Sequence, residues 1–432
     1  MLKLPIRSLI ARGANSEIVT STTIMMVGMG ARLFLQMLTF LIVSRVMGAA
    51  QFGAFVTVGA WVWIISAFSG WGADQLIVKT VARVPSAFGE AFGSGLVFLG
   101  LSAPPLVLSA FLIVPFFVHP SISRGLILYM ALADIAFFRV NVFGAACYQA
   151  VNQAMGTARL NIGFSGARLA GAVLWMAVAT NHDARSWAAY YCGASGFYAI
   201  ISLLLVRRDL GPPKWNVAWQ DWRDGFHFSL QFAVFVALGN IDKAVVALFS
   251  NLSTAGVYGA AARIVDAAFV PIRALMYATY AKFFELGAAG AYKSLKLAVR
   301  VLPVGVALGF VGSLGVLIVA PVAPDLLGHG YVGAGKTMAV LAGLPVFCAL
   351  YYLAGDVLVT SHHVGLRTLL QCTVPPLNIV LCALLVPRYG ATGAAVASEL
   401  SYAVSAAAAW CLVLFVSSGV RRVAVKNAEV PD

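Results

Sequence analysis

Residues Phe226 to Phe284 read FHFSLQFAVFVALGNIDKAVVALFSNLSTAGVYGAAARIVDAAFVPIRALMYATYAKFF: two long apolar runs joined by a polar turn, Asn251-Leu252-Ser253-Thr254. At about 1.5 Å per residue, each run is long enough to cross a hydrocarbon core of about 30 Å. Both carry ionisable groups well inside, Asp242 and Lys243 in the first and Arg263, Asp266 and Arg273 in the second. A charge at the bilayer centre costs about 2.5–3.5 kcal/mol even on a lenient insertion scale. Several on one hairpin are tolerated only if they face protein or trapped water. The stretch therefore predicts two membrane helices that line a polar cavity.

The rest of the chain has the same character. It is 61% hydrophobic and only 10% charged, with a mean hydropathy of +0.89. Apolar runs recur from Thr20 to Val416, with loops too short for a second domain. They are continuous, not alternating, which predicts an all-α integral membrane protein and excludes a barrel. We read about twelve transmembrane helices: 20–46, 53–72, 91–118, 125–148, 160–180, 187–206, 226–249, 255–281, 298–322, 337–360, 367–387 and 393–417. The basic N-terminus, MLKLPIRSLIARGANSE, lacks the apolar core and cleavage site of a signal peptide, so the first span is expected to stay attached. All six cysteines fall in predicted spans and are expected to pack as small apolar residues, without disulfides or metal. Nothing calls for a cofactor.

The net charge of +13 follows the sidedness of the spans, which argues against nucleic acid. With the N-terminus inside, basic residues such as Lys79, Arg83, Arg159, Arg207, Arg208, Lys293, Lys296 and Arg300 fall on one side. The opposite turns hold only Arg124, Arg185, Lys336 and Arg388. The positive-inside rule then predicts both termini in the cytoplasm. The longest connection, Arg207 to Gly225, carries Pro212-Pro213 and three tryptophans and predicts an extended linker followed by a short interfacial helix. It divides the chain into an N-terminal six-helix lobe (1–206), a cytoplasmic linker (207–225), a C-terminal six-helix lobe (226–417) and a cytoplasmic tail (418–432), arranged about a central cavity. A faint internal echo agrees: Gln51-Phe52-Gly53-Ala54-Phe55 after the first span matches Thr254-Ala255-Gly256-Val257-Tyr258 after the seventh. Prolines inside spans, among them Pro104-Pro105, Pro271, Pro303 and Pro375-Pro376, predict kinks. Gly305, Gly309 and Gly312 predict close helix contacts. Kinked, glycine-rich helices suit a rocking transporter and also occur in static membrane proteins.

The buried charges carry the functional reading. Arg32 and Gln36 share a face of the first span, Asp134 and Arg139 lie in the fourth, and Arg168 lies in the fifth. Asp266 and Arg273, seven residues apart, share a helix face with Arg263 beside it. Internal ion pairing is one account, for instance Arg263 with Asp266 at i,i+3. The set Arg32, Arg139, Arg168, Lys243, Arg263 and Arg273 nonetheless outweighs the acids at mid-depth, Asp134, Asp242 and Asp266, and that excess points to an anionic cargo. The planar fork of arginine suits phosphate oxygens. Three motifs are set aside. Gly330 to Thr337, GYVGAGKT, matches the phosphate-loop pattern letter for letter but lacks its strand and its α/β domain. Asn251-Leu252-Ser253 is a formal glycosylation sequon read here as a polar turn, and His362-His363 has no further ligands for a metal.

Four pieces in order resemble a known family. SRVMGAAQFGAF followed by WGADQLIVKTVAR looks like the start of Wzx-type polysaccharide flippases, of the multidrug/oligosaccharidyl-lipid/polysaccharide exporter superfamily. Gly239-Asn240-Ile241-Asp242-Lys243 with Ala255 to Ile264 is similar to the seventh and eighth helices of that family. RYGATGAAVASELSY resembles its last hairpin, and LLGHGYVGAGK falls at its outer loop between helices 9 and 10. The resemblance implies a two-lobed, twelve-helix flippase that moves undecaprenyl-diphosphate-linked oligosaccharide across the bacterial inner membrane. It places Arg32, Gln36, Arg139, Arg168, Lys243, Arg263 and Arg273 toward diphosphate and sugar, and leaves Asp134, Asp242 and Asp266 as the acids for any coupled ion. Its implied partners are the lipid-linked oligosaccharide, membrane lipid, and a polysaccharide polymerase with chain-length proteins. A drug/cation antiporter would want an acidic cavity, and a lipid II flippase usually has fourteen helices. A membrane polymerase or ligase would be expected to have a long outer loop for catalytic groups.

Overall fold

The computed structural model describes residues 6–215, 222–287, 291–328, 330–361 and 363–428, and among these there is no strand. The helices are α1 (Ile6–Ser66), α2 (Ala73–Arg83), α3 (Phe88–Ile113), α4 (Arg124–Ala131), α5 (Phe138–Ala150), α6 (Ala154–Val178), α7 (Ala184–Leu210) and α8 (Trp222–Phe249). They continue with α9 (Leu252–Ala268), α10 (Val270–Gly287), α11 (Ala291–Val319), α12 (Ala323–Leu327), α13 (Ala334–Leu341), α14 (Leu344–Thr360) and α15 (Val364–Ala428). Side chains fix several starts. Ser123, Asp183 and Asn251 each accept the backbone N–H three residues on, satisfying a donor the helix leaves orphaned. The Asn251 sequon is thus an N-cap, which is why a polar turn stands between two apolar runs.

Among the described residues, eight helices, or nine counting one bent pair, are long and apolar enough to cross a membrane. Two are too long for one crossing: at about 1.5 Å per residue, the 61 residues of α1 would run about 90 Å. A glycine in the left-handed region interrupts each, Gly48 (φ 72°) in α1 and Gly390 (φ 56°) in α15. At Gly390 the chain doubles back, since Asn378 Nδ2 donates to Ser398 Oγ at 3.2 Å across 20 residues that a straight helix would separate by about 30 Å. The bent pair is α9 and α10, with a 45° turn between Ala268 and Val270. Pro271, lacking an N–H, sits just past the bend as expected. A continuous helix was the premise for placing Asp266 and Arg273 on one face, and the bend removes that premise. The predicted interfacial helix of the linker falls largely on 216–221, outside the described residues; Gly211–Trp215 is irregular and α8 begins at Trp222.

The chain divides into two compact units, 1–47 with 58–236 and 48–57 with 237–432. Unit 1 packs around Ile77, Phe92, Phe143, Cys147, Leu160 and Val206. Unit 2 packs around Phe283, Leu353, Val357, Leu358, Ala409 and Val413. In unit 2, Gly305, Gly309 and Gly312 of α11 face Leu353, Val346 and Ala268 at contact distance, as their spacing predicts. The opposite side of α11 exposes Phe310, Val311, Leu314 and Ile318 at 59–68%, an apolar stripe at helical spacing that suits lipid. All six cysteines lie in helices; Cys147, Cys192, Cys348 and Cys382 are buried, whereas Cys372 and Cys411 are exposed. A thiol is small enough to face lipid at no cost in unpaired polar groups.

Candidate functional site

The predicted charges fall into three groups. In unit 1, α4 and α5 are joined by a π-helical turn, Leu132–Phe137, which carries Asp134. A π turn widens the helix and redirects one side chain, and Asp134 is completely buried. Its Oδ1 accepts from Arg168 Nη2 at 2.8 Å and from Tyr191 OH at 2.8 Å. Arg168 Nε donates to Ser195 Oγ at 3.0 Å. The guanidinium lies over the rings of Tyr191 and Phe164, at 3.9 and 4.4 Å from their centroids. Among the described residues, Asp134 Oδ2 is buried without a hydrogen-bond partner.

One turn on, Arg139 is 5% exposed. It donates to the Ser69 carbonyl at 3.1 Å and pairs with Asp74 at 3.3 Å, under the Phe232 ring. The partner acid Asp74 was missing from the sequence reading. Its signal was its place at the start of the short amphipathic helix α2, where a carboxylate also suits the helix dipole.

In unit 2, Lys243 donates to the Gly239 carbonyl at 2.8 Å and lies 3.4 Å from both Asp242 oxygens. Asp242 Oδ2 also accepts from Tyr258 OH, which meets Ser398 Oγ at 2.8 Å. Nothing in sequence order foretells this network, because its members stand up to 140 residues apart. Asp266 and Arg263 lie within electrostatic reach of Lys243. Among the described residues, however, Arg263 and Asp266 form no ion pair. Arg263 and Arg273 are exposed, and among the described residues Arg273 flanks the Phe269 ring, at 6.0 Å. Arg32 and Gln36 are half-buried, and Arg32 is engaged with a neighbour. The structure thus joins Arg168 to Asp134 and Lys243 to Asp242, gives Arg139 its own acid, and leaves Arg263 and Arg273 open.

The phosphate-loop match has none of its structural context. Gly330 to Thr337 follows the helical turn α12, Tyr331 is fully buried, and Thr337 is buried with its hydroxyl on the Gly333 carbonyl. Lys336 points outward. Lys336→Ala should therefore change the protein level by less than about twofold, as for an ordinary surface substitution, measured by membrane immunoblot. Among the described residues no group of His, Cys, Asp or Glu is arranged to hold a metal.

Comparison with known proteins adds the following. The family model described as polysaccharide biosynthesis protein matches residues 18–286. Among solved structures, an inward-facing multidrug resistance MATE family transporter of the MOP superfamily is similar at a TM-score of 0.72 and 13% identity, covering 90% of this chain and 96% of that one. The lipid II flippase MurJ, in an inward closed conformation, is similar at a TM-score of 0.71 and 12% identity, covering 94% and 93%. A MOP superfamily transporter from Pyrococcus furiosus, described as having a binding pocket of reverse polarity, is similar at a TM-score of 0.60 and 14% identity, covering 94% and 96%. At these identities the likeness establishes the fold. A search of curated protein sequences found no match.

Proposed function

Because the chain belongs to the polysaccharide biosynthesis protein family, we propose that it is a flippase that carries undecaprenyl-diphosphate-linked oligosaccharide from the inner to the outer leaflet of the bacterial inner membrane. The observation that carries this reading is the contrast among the cations within the apolar helices. Arg139, Arg168 and Lys243 each stand against a carboxylate, whereas Arg263 and Arg273 are exposed on the bent pair α9–α10. Arginine facing lipid at mid-depth would cost several kcal/mol; in this reading the two face water in a cavity, where their forks suit a diphosphate. The Pyrococcus furiosus transporter gives a precedent in this superfamily for a change of pocket polarity read as a change of function. The cationic residues here weigh against a drug cation as cargo.

Twelve crossings fit this reading. Length and hydropathy give nine, the breaks at Gly48 and Gly390 add one each, and α6, with 25 residues, is long enough to be the twelfth. In this arrangement six crossings on each side of the linker form the two lobes, and both termini are cytoplasmic. Outward movement of a diphosphate is favoured by an inside-negative potential at about 2.3 kcal/mol per charge per 100 mV, so no nucleotide is required.

The test is the pair Arg263→Ala and Arg273→Ala. Losing one charge-assisted hydrogen bond of about 1.5–3 kcal/mol should weaken delivery at least about tenfold. The protein level should hold, because neither arginine neutralises a buried acid. Lysine at either position should restore delivery only in part. Normal delivery of lipid-linked sugar to the outer leaflet from both alanine variants would overturn the anionic-cargo reading.

A further inference from the structure

Within unit 1, α2 and α3 do not close completely against each other. Between them runs an open groove with a cavity volume of about 80 Å³, several times the about 10–15 Å³ that holds one water. Ala73 and Phe98 stand at its inner end, Ala91 on its wall, and Thr80, Ala87 and Glu90 at its mouth. Ala87 and Ala91 present only methyl groups to the gap, so α3 leaves it open. From Glu90 to Phe98 the groove extends about 12 Å along α3. Beyond its inner end lies Trp71, whose ring is 6.3 Å from that of Phe98 between centroids.

At the mouth the two helices are joined by residues 84–87, of which Val84, Pro85 and Ser86 are exposed. One charge of each sign flanks this loop. Arg83 lies in the last turn of α2 and Glu90 in the first turn of α3, where each also suits its own helix dipole. Arg83 follows Thr80 by three residues and so shares its side of α2. Both charges are exposed, and among the described residues neither forms an ion pair. Asp224 is within electrostatic reach of Arg83 but is already tied to Lys79. The apolar run of α3 begins at Ala91. The charges therefore sit at headgroup level, and the groove leads from them into the hydrocarbon.

An acyl chain gains little from such a groove alone, because the bilayer already surrounds it with an equally apolar medium. Selection must therefore come from the headgroup. The mouth offers a guanidinium, whose fork suits phosphate oxygens, and a carboxylate, which accepts from N–H donors. A phosphoglycerol headgroup answers the first and is repelled by the second. Phosphocholine matches both charges, but its quaternary ammonium has no N–H to donate. Phosphoethanolamine answers both, since its primary ammonium carries three donors, as that of lysine does. Hydrogen bonds between ionised groups are the strong ones. We propose that the α2–α3 groove binds one glycerophospholipid with an ethanolamine headgroup. Its phosphate meets Arg83, its ammonium meets Glu90, and an acyl chain runs past Ala91 toward Phe98. The site is separate from the residues assigned to the cargo and does not depend on that assignment.

The probes are phosphatidylethanolamine, phosphatidylcholine and phosphatidylglycerol with identical chains, added to the full-length protein in detergent. Binding is read by native mass spectrometry. Phosphatidylethanolamine should bind at least about tenfold more tightly than the other two, the difference one charge-assisted hydrogen bond makes. Glu90→Ala should bring it level with phosphatidylcholine, and Arg83→Gln should weaken all three. Brominated acyl chains locate the tail: they should quench the part of the fluorescence that Trp71→Phe removes. Ala91→Phe, which fills the groove, should abolish that quenching, and Ala87→Leu should do so if the first variant fails to accumulate. Equal binding of the three lipids, or a preference that survives Glu90→Ala, would overturn the site. So would Trp71 quenching that persists when the groove is filled. Tighter binding of phosphatidylglycerol would replace the site with an unselective cationic surface. Undecaprenyl phosphate that displaces phosphatidylethanolamine and its quenching would also overturn the proposal, and would give the groove to the tail of the cargo.

Discussion

Asp134→Ala is expected to remove most of the protein from the membrane, and Asp134→Leu combined with Arg168→Met is expected to bring it back. Asp134 is completely buried, and its pairing with Arg168 is the main compensation for holding a guanidinium among Phe138, Phe164 and Tyr191. Removing one member of a buried pair leaves the other charge unpaired and costs about 3–5 kcal/mol. Against a typical stability of about 5–15 kcal/mol, that loss depletes the folded population severely. Replacing both with apolar residues of similar volume removes the desolvation penalty together with the attraction, so the double variant should recover. The measurements are protein level in isolated membranes and melting temperature in detergent. An Asp134→Ala protein that accumulates normally but delivers no sugar would show that the carboxylate acts in transport rather than in folding.

Gly53→Val should lower the melting temperature sharply, whereas Gly315→Ala should raise it slightly. At Gly53 an added carbon meets the backbone of α9, which cannot turn aside as a side chain would. Forcing extra volume into such a contact costs about 1–3 kcal/mol, occasionally more. At Gly315 in α11 the same carbon meets nothing within 4 Å. There alanine removes the entropy cost of a helical glycine, a gain of about 0.5–1 kcal/mol. Gly53→Ala should fall between the two, below wild type. Equal melting temperatures for Gly53→Ala and Gly315→Ala would show that the close approach contributes nothing to stability.

The membrane character and the helices were legible in the sequence, because they depend on local quantities. An apolar run either is or is not long enough to cross the core, and the predicted spans fall on helical segments, although among the described residues eight or nine helices, not twelve, pass as candidate spans. The polar turn at Asn251 and the bend near Pro271 were legible for the same reason, since each is set by a cap or by a missing N–H. The type of the buried residues was also plain: charges in an apolar run are visible wherever they end up.

Their partnerships were decided only by the fold. Asp134 meets Arg168 across 34 residues, Arg139 meets Asp74 across 65, and Tyr258 meets Ser398 across 140. Composition shows a cation excess but not which cations are already neutralised, because an ion pair depends on a few ångströms of side-chain placement after the helices have packed. The expected Arg263–Asp266 pairing at helical spacing did not form, while pairings with no spacing rule did. The two echo glycines are the clearest instance. By itself the sequence placed Gly53 and Gly256 at matching points of two halves; only packing set their backbones against each other, because a glycine's lack of a side chain permits close approach without specifying what approaches.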